Sequence, residues 1–306
     1  MVQKTAKIWL DGKMVNWDDA QIHVLTYTLH YGLGVFEGIR CYECADGTSS
    51  IFKLKEHIDR LFDSAKINLI DIPFSREELI EACKEIFRVN KLKTGYLRPI
   101  VFIGDGEMGL VAFKNKVRVA IAAWPWGTYL GEEGVKNGIR AKISSFSRYT
   151  VNSNMTRAKT CGSYINSILA KREALQAGYE EALMLDNEGY LAEATGENIF
   201  VVEEGLVRTP GSGSAILRGL TRDCIISICE DLKIPFEESR ITRDEAYISD
   251  EMFLCGTAAE ITPIRELDDR KIGMGKPGPI TKKIQEMYFD IVRGKNKKFK
   301  EWLNHI

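Results

Sequence analysis

Two cysteines stand at the spacing of a redox pair or of two zinc ligands. Cys41 and Cys44 form the only C-x-x-C in the chain. A zinc site needs further ligands at a suitable spacing, and the histidines of the chain do not supply them. Those histidines are His23, His30, His57 and His305. We therefore expect no metal site, and a redox role for the cysteine pair is the disfavoured alternative.

The short motifs of the large enzyme classes are absent from the sequence. It contains no Walker loop, no Rossmann glycine fingerprint, no nucleophile elbow and no H-E-x-x-H pair. Pattern alone therefore predicts a soluble two-domain enzyme of mixed α and β structure, and nothing in the periodicity singles out one reactive lysine.

The composition is that of an ordinary soluble enzyme. The chain has 306 residues, of which 28% are charged, and its formal net charge is −1. This near-zero charge gives no reason to expect a nucleic-acid or anionic-membrane partner. No apolar stretch is long enough for a signal peptide or a membrane-spanning helix. The seven cysteines are an odd number in a chain too large to need disulfides, so we expect a cytoplasmic protein.

The elements that must position a site are hairpins interleaved with helices. Apolar residues at helical spacing predict helices at 55–67, 77–89, 163–177, 221–232 and directly after 242. Ser75 and Thr242 each stand three residues before a glutamate, which is the spacing of a capping box. Strands are predicted at 95–103 and 117–124, and hairpins at 8–15, 182–193 and 198–209. This pattern favours an α/β protein of α+β type with largely antiparallel sheets.

The stretch 124–138 differs in composition from its flanks. It holds Pro125 and four glycines, which is typical of a connection between domains. We place a small N-terminal domain at 1–124, an inter-domain loop at 125–137 and a large domain at 138–306.

Six segments resemble the signatures of one enzyme family and occur in the expected order. They read YGLGVFEGIR at 31–40, YLRP at 96–99, WPWGTYLG at 124–131, EATGENIF at 193–200, AILRGLTR at 215–222 and FLCGTAAEITP at 253–263. The last three resemble the class IV aminotransferases, which have the pyridoxal 5'-phosphate (PLP) fold type IV. The first three resemble their branched-chain amino acid subgroup. The resemblance implies a two-domain fold with PLP between the domains, the large domain being the PLP-binding one.

The resemblance also implies which residues hold the cofactor. Lys159, in the segment RAKTCGSY at 157–164, resembles the lysine that holds PLP as a Schiff base. Glu193 resembles the carboxylate that pairs with the pyridine nitrogen, and Tyr164 the residue that hydrogen-bonds the phenolic oxygen. A helix N-terminus binds anions through its N–H groups, and residues 219–221 open the predicted helix at 221–232. The residues expected at the phosphate are Arg60, Gly219, Leu220, Thr221, Gly256 and Thr257.

On the substrate side, the amides of Ala258 and Ala259 are expected to hold the substrate carboxylate. The residues expected to wall the side-chain pocket are Tyr31, Phe36, Gly38, Tyr96, Trp126 and Tyr129. Arg98 lies two residues after Tyr96 on a predicted strand and so points to the same face. It is expected to bind the second carboxylate of glutamate. The alternative for Arg98 is a structural ion pair with an acid such as Asp105.

The activity that the resemblance implies is reversible transamination between leucine, isoleucine or valine and 2-oxoglutarate. The alternatives within the same fold are a D-amino acid transaminase, an R-amine transaminase and an aminodeoxychorismate lyase. The alternative from another class is a PLP-bearing binding or regulatory protein without turnover. In the family, residues like Tyr31 and those near 108–110 reach the site of the neighbouring subunit. This implies a homo-oligomer, at least a dimer and possibly a hexamer.

Overall fold

The computed structural model describes residues 2–111 and 113–306, and within them it has seventeen strands and eight α-helices. The strands are β1 (Lys7–Leu10), β2 (Lys13–Asn16), β3 (Gly34–Phe36), β4 (Ile39–Glu43), β5 (Ser49–Phe52), β6 (Gly95–Ile103), β7 (Val117–Trp124), β8 (Ile139–Ile143), β9 (Glu181–Leu185), β10 (Leu191–Ala194), β11 (Asn198–Glu203), β12 (Leu206–Thr209), β13 (Phe236–Glu238), β14 (Glu251–Gly256), β15 (Glu260–Leu267), β16 (Arg270–Lys271) and β17 (Leu303–His305). The helices are α1 (Tyr27–Tyr31), α2 (Leu54–Ile67), α3 (Arg76–Val89), α4 (Glu132–Asn137), α5 (Tyr164–Gln176), α6 (Leu220–Leu232), α7 (Arg243–Ile248) and α8 (Pro279–Val292). No helix in this part of the chain is long and apolar enough to cross a membrane.

The chain divides into two compact units. The first unit contains the chain up to Gly127 together with Ala158–Ser163 and Asp290–Ile306, and the second contains Thr128–Arg157 and Tyr164–Phe289. The boundaries expected from the sequence differ from this division because two segments of the predicted large domain pack within the first unit. Strand β17 pairs with β5, and residue 160 forms a β-bridge with residue 35. As boundaries of independently folding domains, 1–124 and 138–306 stay a prediction.

The first unit is built on an eight-stranded antiparallel sheet. Its strand order is β17-β5-β4-β6-β7-β1-β2, and β3 pairs with β6. Helices α2 and α3 pack on each other and place their apolar faces in one core with the sheet. The buried face of α2 carries Ile58, Leu61 and Ala65 at helical spacing, but it also carries the polar residues His57 and Ser64. Buried polar groups need hydrogen-bond partners, so we expect the side chains of His57 and Ser64 to form hydrogen bonds in the interior of the unit.

The second unit is built on a nine-stranded sheet. Its order is β10-β9-β8-β15-β14-β11-β12-β13, and β16 pairs with β15. Three strand pairs, β8 with β9, β8 with β15 and β12 with β13, are parallel, and the others are antiparallel. Helix α5 packs on β9, and α6 packs on β13 and β14. The α+β fold with largely antiparallel sheets is therefore confirmed.

The main elements expected from periodicity are also confirmed. Helices α2, α3, α5 and α6 and strands β6 and β7 lie where the sequence predicts them. Both capping boxes are present, with Ser75 and Thr242 each accepting a hydrogen bond from the glutamate N–H three residues on. Within the predicted inter-domain loop at 125–137, the second half forms helix α4; as a connection between domains this segment stays a prediction. Gly131 at φ 79° and Gly138 at φ 84° bound this short helix on either side, so the glycines mark its ends.

Candidate active site

Lys159 of the first unit is held at its backbone from two sides. Its N–H donates to Ser64 Oγ at 3.0 Å, and its carbonyl accepts from Phe36 N at 3.1 Å. Its neighbour Thr160 forms a β-bridge with Val35. The ammonium lies 5.2 Å from the centroid of the Phe36 ring. A lysine on a solvated loop would have none of these constraints, so the fold fixes the backbone of this half-buried residue.

Arg60 is held by a carboxylate with no solvent exposure. Its Nε donates to Glu37 Oε1 at 2.7 Å and its Nη2 donates to Oε2 at 2.9 Å, while His57 Nδ1 lies 2.7 Å from Oε2. Burial raises the pKa of Glu37, but the charges and hydrogen bonds of Arg60 and His57 outweigh it and hold the pKa well below 4.5. Burial lowers the pKa of His57, although Glu37 opposes the shift. The hydrogen bond to Glu37 thus explains why the polar residue His57 occupies a buried position on α2.

Arg98 lies among aromatic rings and has no carboxylate partner among the residues that the structure describes. Its guanidinium carbon is 4.6 Å from the centroid of Phe36 and 5.5 Å from that of Tyr96. Its Nε is buried without a hydrogen-bond partner, and no ion pair joins it to Asp105 in the described ranges 2–111 and 113–306. The alternative of a structural pair with Asp105 was therefore wrong. A buried guanidinium edge without a partner is suited to an anion.

The aromatic wall of the first unit continues from Tyr96 to Trp126, whose ring centroids are 4.4 Å apart. Gly38 packs against this wall, since a Cβ built there would lie 1.9 Å from the Tyr96 hydroxyl. Only glycine fits this approach. The structure therefore brings Phe36, Gly38, Tyr96, Arg98 and Trp126 together.

Tyr31 lies apart from that wall, at the end of α1. It is 43% exposed, and its hydroxyl accepts a hydrogen bond from Gly109 N at 3.1 Å. Its ring contacts are with Tyr27 and His30. The residues on either side of Gly109, at 108 and 110, are exposed as well. Tyr31 and the segment 108–110, both expected to reach a neighbouring subunit, are thus in contact on one surface of the first unit.

In the second unit, Glu193 is 6% exposed and lies beside a register shift in β10. Its Oε1 pairs with Arg148 Nη2 at 2.6 Å. Its Oε2 accepts from Leu217 N at 3.0 Å and from Asn198 Nδ2 at 3.3 Å. Arg148 is buried too, and its Nη1 reaches Ser167 on α5. These three donors fix the direction of the Glu193 carboxylate.

The N-terminus of α6 is tied to the same carboxylate. Asn198 Nδ2 also donates to Leu217 O at 2.9 Å, and a Cβ at Gly219 would lie 2.1 Å from Asn198 Oδ1. Gly219 is the N-cap of the helix and has no side chain to satisfy the first N–H groups. Leu220 and Thr221 follow as its first residues. This end of the helix therefore combines backbone donors with the positive end of the helix dipole.

The other predicted residues of the second unit lie at the ends of elements. Tyr164 begins α5, and Thr257, Ala258 and Ala259 form the turn that follows β14 at Gly256. The carbonyl of Ala259 accepts a hydrogen bond from the hydroxyl of residue 262 at 2.8 Å, which fixes the turn.

Lys171 lies between Tyr129 and a second buried carboxylate cluster. Tyr129 is 42% exposed, and the Lys171 ammonium lies 5.4 Å from its ring centroid. Lys171 Nζ pairs with Glu181 Oε2 at 2.6 Å, and the Thr195 hydroxyl donates to Glu181 Oε1 at 2.7 Å. Glu197 is 4% exposed, and burial and the charge of Glu181 raise its pKa to about 8, against the opposing effect of Lys171. This upward shift favours the protonated form of Glu197 in the folded protein.

Sequence reasoning missed the partners of the predicted residues, namely Glu37, His57, Arg148 and Asn198. One signal for Glu37 was present: it is the single charge in the apolar run 35–39. His57 stands three residues before Arg60 and so shares its helix face. No local signal marks Arg148, because it meets Glu193 only through the fold of the second unit.

The C-x-x-C pair is structural in its setting. Cys41 and Cys44 are buried free thiols. Burial, with a contribution from Cys44, raises the pKa of Cys41 to about 12. The thiolate form of Cys41 is therefore disfavoured at neutral pH.

Comparison with known proteins gives a consistent result. The family described as Amino-transferase class IV matches residues 34–267. The branched-chain-amino-acid aminotransferase of Pseudomonas aeruginosa is 53% identical over 302 residues, which cover 99% of this chain and 98% of that protein.

Solved structures agree over the same length. The crystal structure of the Escherichia coli branched-chain amino acid aminotransferase has a TM-score of 0.96 and 43% identity, covering 98% of this chain and 99% of that one. The branched-chain amino acid aminotransferase from Thermobaculum terrenum, solved in its PLP form, has a TM-score of 0.93 and 33% identity, covering 99% of this chain and 98% of that one. The chain therefore belongs to the branched-chain-amino-acid aminotransferases of the class IV aminotransferase family.

Proposed function

We propose that this protein catalyses the reversible transfer of an amino group between a branched-chain L-amino acid (leucine, isoleucine or valine) and 2-oxoglutarate, with PLP as its cofactor. The observation that carries the proposal is the fixed placement of Lys159 in a chain that belongs, over nearly its whole length, to this family. A half-buried amine held at its backbone is the group that a carbonyl-bearing cofactor requires.

The residues proposed for the site are of types that suit PLP. The cofactor has a carbonyl, a basic ring nitrogen, a phenolic oxygen and a phosphate, and the proposed partners are Lys159, Glu193, Tyr164 and Arg60 in that order. When bound, PLP supplies an electron sink for the electron pair left on the substrate Cα after its proton departs. The protein supplies binding, orientation and proton transfer.

Lys159 is proposed as the catalytic residue. Its Nζ would hold the cofactor at its carbonyl and, when not so engaged, would hold and move the proton that leaves the substrate Cα. The contact of the ammonium with the Phe36 ring supports this role, because it keeps the amine directed along the aromatic wall.

Glu193 and Tyr164 are proposed at the cofactor ring. The Glu193 carboxylate pairs with the protonated pyridine nitrogen, and its three hydrogen-bond donors support the role because they keep it charged and oriented. The Tyr164 hydroxyl is proposed to hydrogen-bond the phenolic oxygen.

The phosphate is proposed to bind to Arg60 and to the N-terminus of α6. An anion at a helix N-terminus gains from the backbone N–H groups and the helix dipole together. The residues that take part are Gly219, Leu220, Thr221, Gly256 and Thr257. The absence of a capping side chain at Gly219 supports the proposal.

The substrate is proposed to lie against the aromatic wall. The amides of Ala258 and Ala259 hold its α-carboxylate, and Phe36, Gly38, Tyr96, Trp126 and Tyr129 line the side-chain pocket. Arg98 binds the second carboxylate of glutamate, for which its partnerless Nε gives support. One pocket thus accepts two kinds of substrate. The aliphatic side chain of a branched-chain amino acid contacts the aromatic rings, and the carboxylate of glutamate binds the Arg98 guanidinium.

A homo-oligomer and a cytoplasmic location complete the proposal. The exposed apolar side chains around Tyr31 and Leu110 support burial against a second copy, which receives Tyr31 at its own substrate pocket. The expected assembly is at least a dimer, with a hexamer as the alternative. The free thiols are typical of a reducing compartment such as the cytoplasm.

The test of the covalent role is borohydride reduction of the purified protein followed by peptide mapping. We expect a pyridoxyl adduct on Lys159, and Lys159→Ala should abolish turnover with the fold intact. Lys66→Ala, on the exposed side of α2, is the matched control and should keep full activity. An adduct on another lysine would contradict the assignment.

The test of the reaction is a panel of half-reaction rates with L-amino acids, D-amino acids and R-amines. We expect leucine, isoleucine, valine and glutamate to react, and D-amino acids and R-amines to be far slower. Faster reaction of a D-amino acid or an R-amine would move the protein to an alternative activity of the same fold.

A further inference from the structure

Glu37 is an ionised side chain in the interior of the first unit. It has no solvent exposure, and its close donors include two N–H groups of Arg60, the ring of His57 and the adjacent Gly38 N. Burying a carboxylate is costly unless it is paired and hydrogen-bonded. A fold that keeps such a group pairs it closely, and here Arg60 and His57 lie on one face of α2.

The contact with Arg60 is bidentate. Two of the five N–H groups of the guanidinium, on one edge of its plane, meet the two oxygens of Glu37 at 2.7 and 2.9 Å. Because the guanidinium is planar and rigid, fixing one edge also fixes the direction of the other edge. An arginine without such a clamp would have to lose rotamer freedom on meeting its ligand.

His57 completes the clamp from the same helix. It stands three residues before Arg60, and its Nδ1–H donates to Glu37 Oε2, since an ionised carboxylate can only accept. The charged groups that face its ring are Glu37, Arg60 and Lys159, and burial favours its neutral form. A neutral ring leaves the Glu37–Arg60 pair with a net charge near zero before a ligand arrives.

We propose that Glu37 is a positioning residue that, supported by His57, presents Arg60 to the cofactor phosphate in the bound orientation. This inference rests on the proposed phosphate role of Arg60. Glu37 touches neither substrate nor cofactor in this scheme and acts only through the guanidinium. Because Glu37 lies between Phe36 and Gly38 in the chain, the same residue joins the phosphate arginine to the aromatic wall.

The readout is selectivity for the phosphate, measured as the ratio of the dissociation constants of pyridoxal and PLP on the cofactor-stripped full-length chain. Pyridoxal keeps the aldehyde and the ring but lacks the phosphate. Glu37→Gln should weaken PLP binding about 10-fold or more, in line with the loss of a charge-assisted contact, and leave pyridoxal binding nearly unchanged. A general loss of protein stability would instead weaken the binding of PLP and of pyridoxal equally.

Asp11→Asn is the matched control. Asp11 pairs with Arg118 Nε at 2.7 Å within the same unit, so this variant also removes one carboxylate from an arginine. It should leave the selectivity ratio unchanged. If Glu37→Gln does not fold, His57→Asn takes its place, because it keeps the Glu37–Arg60 pair while removing one support; a smaller fall in the ratio is expected.

A double-mutant cycle with Arg60→Ala decides whether Glu37 acts through the arginine. We expect Arg60→Ala to lose most of the selectivity, and Glu37→Gln to have no further effect on it in that background. Additive losses of selectivity in the cycle would overturn the inference about Glu37 but not the phosphate role of Arg60. The same conclusion would follow if Arg60→Ala lost selectivity while Glu37→Gln and His57→Asn both kept the parent's ratio. An unchanged ratio in Arg60→Ala would overturn the phosphate role of Arg60 and the inference with it.

Discussion

Two buried carboxylates, one in each unit, have pKa values shifted in opposite directions. Glu37 of the first unit is 0% exposed and Glu197 of the second is 4% exposed, so burial does not distinguish them. Glu37 faces Arg60 and His57, whereas Glu197 faces another carboxylate, Glu181, whose positively charged partner Lys171 it has to share. Neighbours, and not burial, therefore decide which of the two is an anion.

The two residues contribute to stability with opposite pH dependence. The pKa of Glu37 is lower in the folded state than its ordinary value of 4.5, so its stabilising effect is present above that pH and is lost as the pH falls. The pKa of Glu197 is raised to about 8, so its effect is present below pH 4.5 and is lost as the pH rises toward 8. A permanent anion suits the orientation of a guanidinium.

Glu193 extends the comparison, because it belongs to the second unit but is paired as Glu37 is. Arg148 gives it a cationic partner at 2.6 Å. Glu193→Gln should keep a hydrogen-bonding group but lose the charge that favours a protonated pyridine nitrogen. We expect the half-reaction with leucine to slow by on the order of 10²–10³, a few kcal/mol of transition-state stabilisation. Stopped-flow spectroscopy of the PLP-loaded enzyme measures the rate.

The matched control for this change is Glu197→Gln in the same unit. Glutamine resembles the protonated acid in shape and charge, so the rate at pH 7 should change little. Equal losses in Glu193→Gln and Glu197→Gln would erase the distinction between the paired and the protonated carboxylate.

The contrast between these sites also marks what the sequence was able to predict. Resemblance of motifs singled out Lys159, Arg60 and Glu193 as candidates, since each stands in a recognisable local segment. It did not identify Glu37 or Arg148, because an ion pair across 23 or 45 positions of the chain is set by tertiary packing. A charge inside an apolar run indicates a buried partner but does not say which one.

The fold was more accessible than the site. The periodicity of α2 and the capping boxes are local properties, and the structure reproduces them within a residue or two. The return of 290–306 and 158–163 to the first unit was not accessible from the sequence. Pairing between residues about 250 positions apart (β17 with β5) or 125 positions apart (160 with 35) leaves no local pattern. Helix α4 was not accessible from the sequence, because glycines that flank a short helix look the same as glycines of a loop.

Glu197→Gln also tests the opposite pH dependence directly. Between pH 4.5 and about 8 the unfolded chain has lost the proton that folded Glu197 keeps, so stability falls as the pH rises. The variant lacks this slope. We expect it to match the parent at pH 5 and to be more stable at pH 8 by on the order of a few kcal/mol, at about 1.4 kcal/mol for each unit of pKa shift.

Urea unfolding at the two pH values provides the measurement. Glu230→Gln, on the exposed side of α6, is the control and should show the parent's pH dependence. A Glu197→Gln protein that keeps this dependence in full would show that Glu197 is already ionised in the folded state.

Arg98 extends the comparison of paired and unpaired charges to a cation, because no carboxylate in the described part of the chain pairs with it. We expect Arg98→Ala to lose about 1.5–3 kcal/mol more in single-turnover rate with glutamate than with leucine, the scale of a hydrogen bond to a charged group. Arg118→Ala is the matched control, since Arg118 also lies over an aromatic ring but is paired with Asp11. Equal losses with both substrates would make Arg98 part of the scaffold.

The smallest effects compare the two units as folding entities. Ser75→Ala and Thr242→Ala each remove a capping box, in α3 of the first unit and α7 of the second, and each should cost about 1 kcal/mol.

All five tryptophans of the chain belong to the first unit: Trp9, Trp17, Trp124, Trp126 and Trp302. Tryptophan fluorescence during urea unfolding therefore reports on that unit, while far-ultraviolet circular dichroism reports on both. If the units unfold separately, as we expect, Ser75→Ala shifts the fluorescence transition and Thr242→Ala shifts only the dichroism. Coincident shifts of both signals in both variants would mean one cooperative unit, for which a boundary near residue 127 has no thermodynamic meaning.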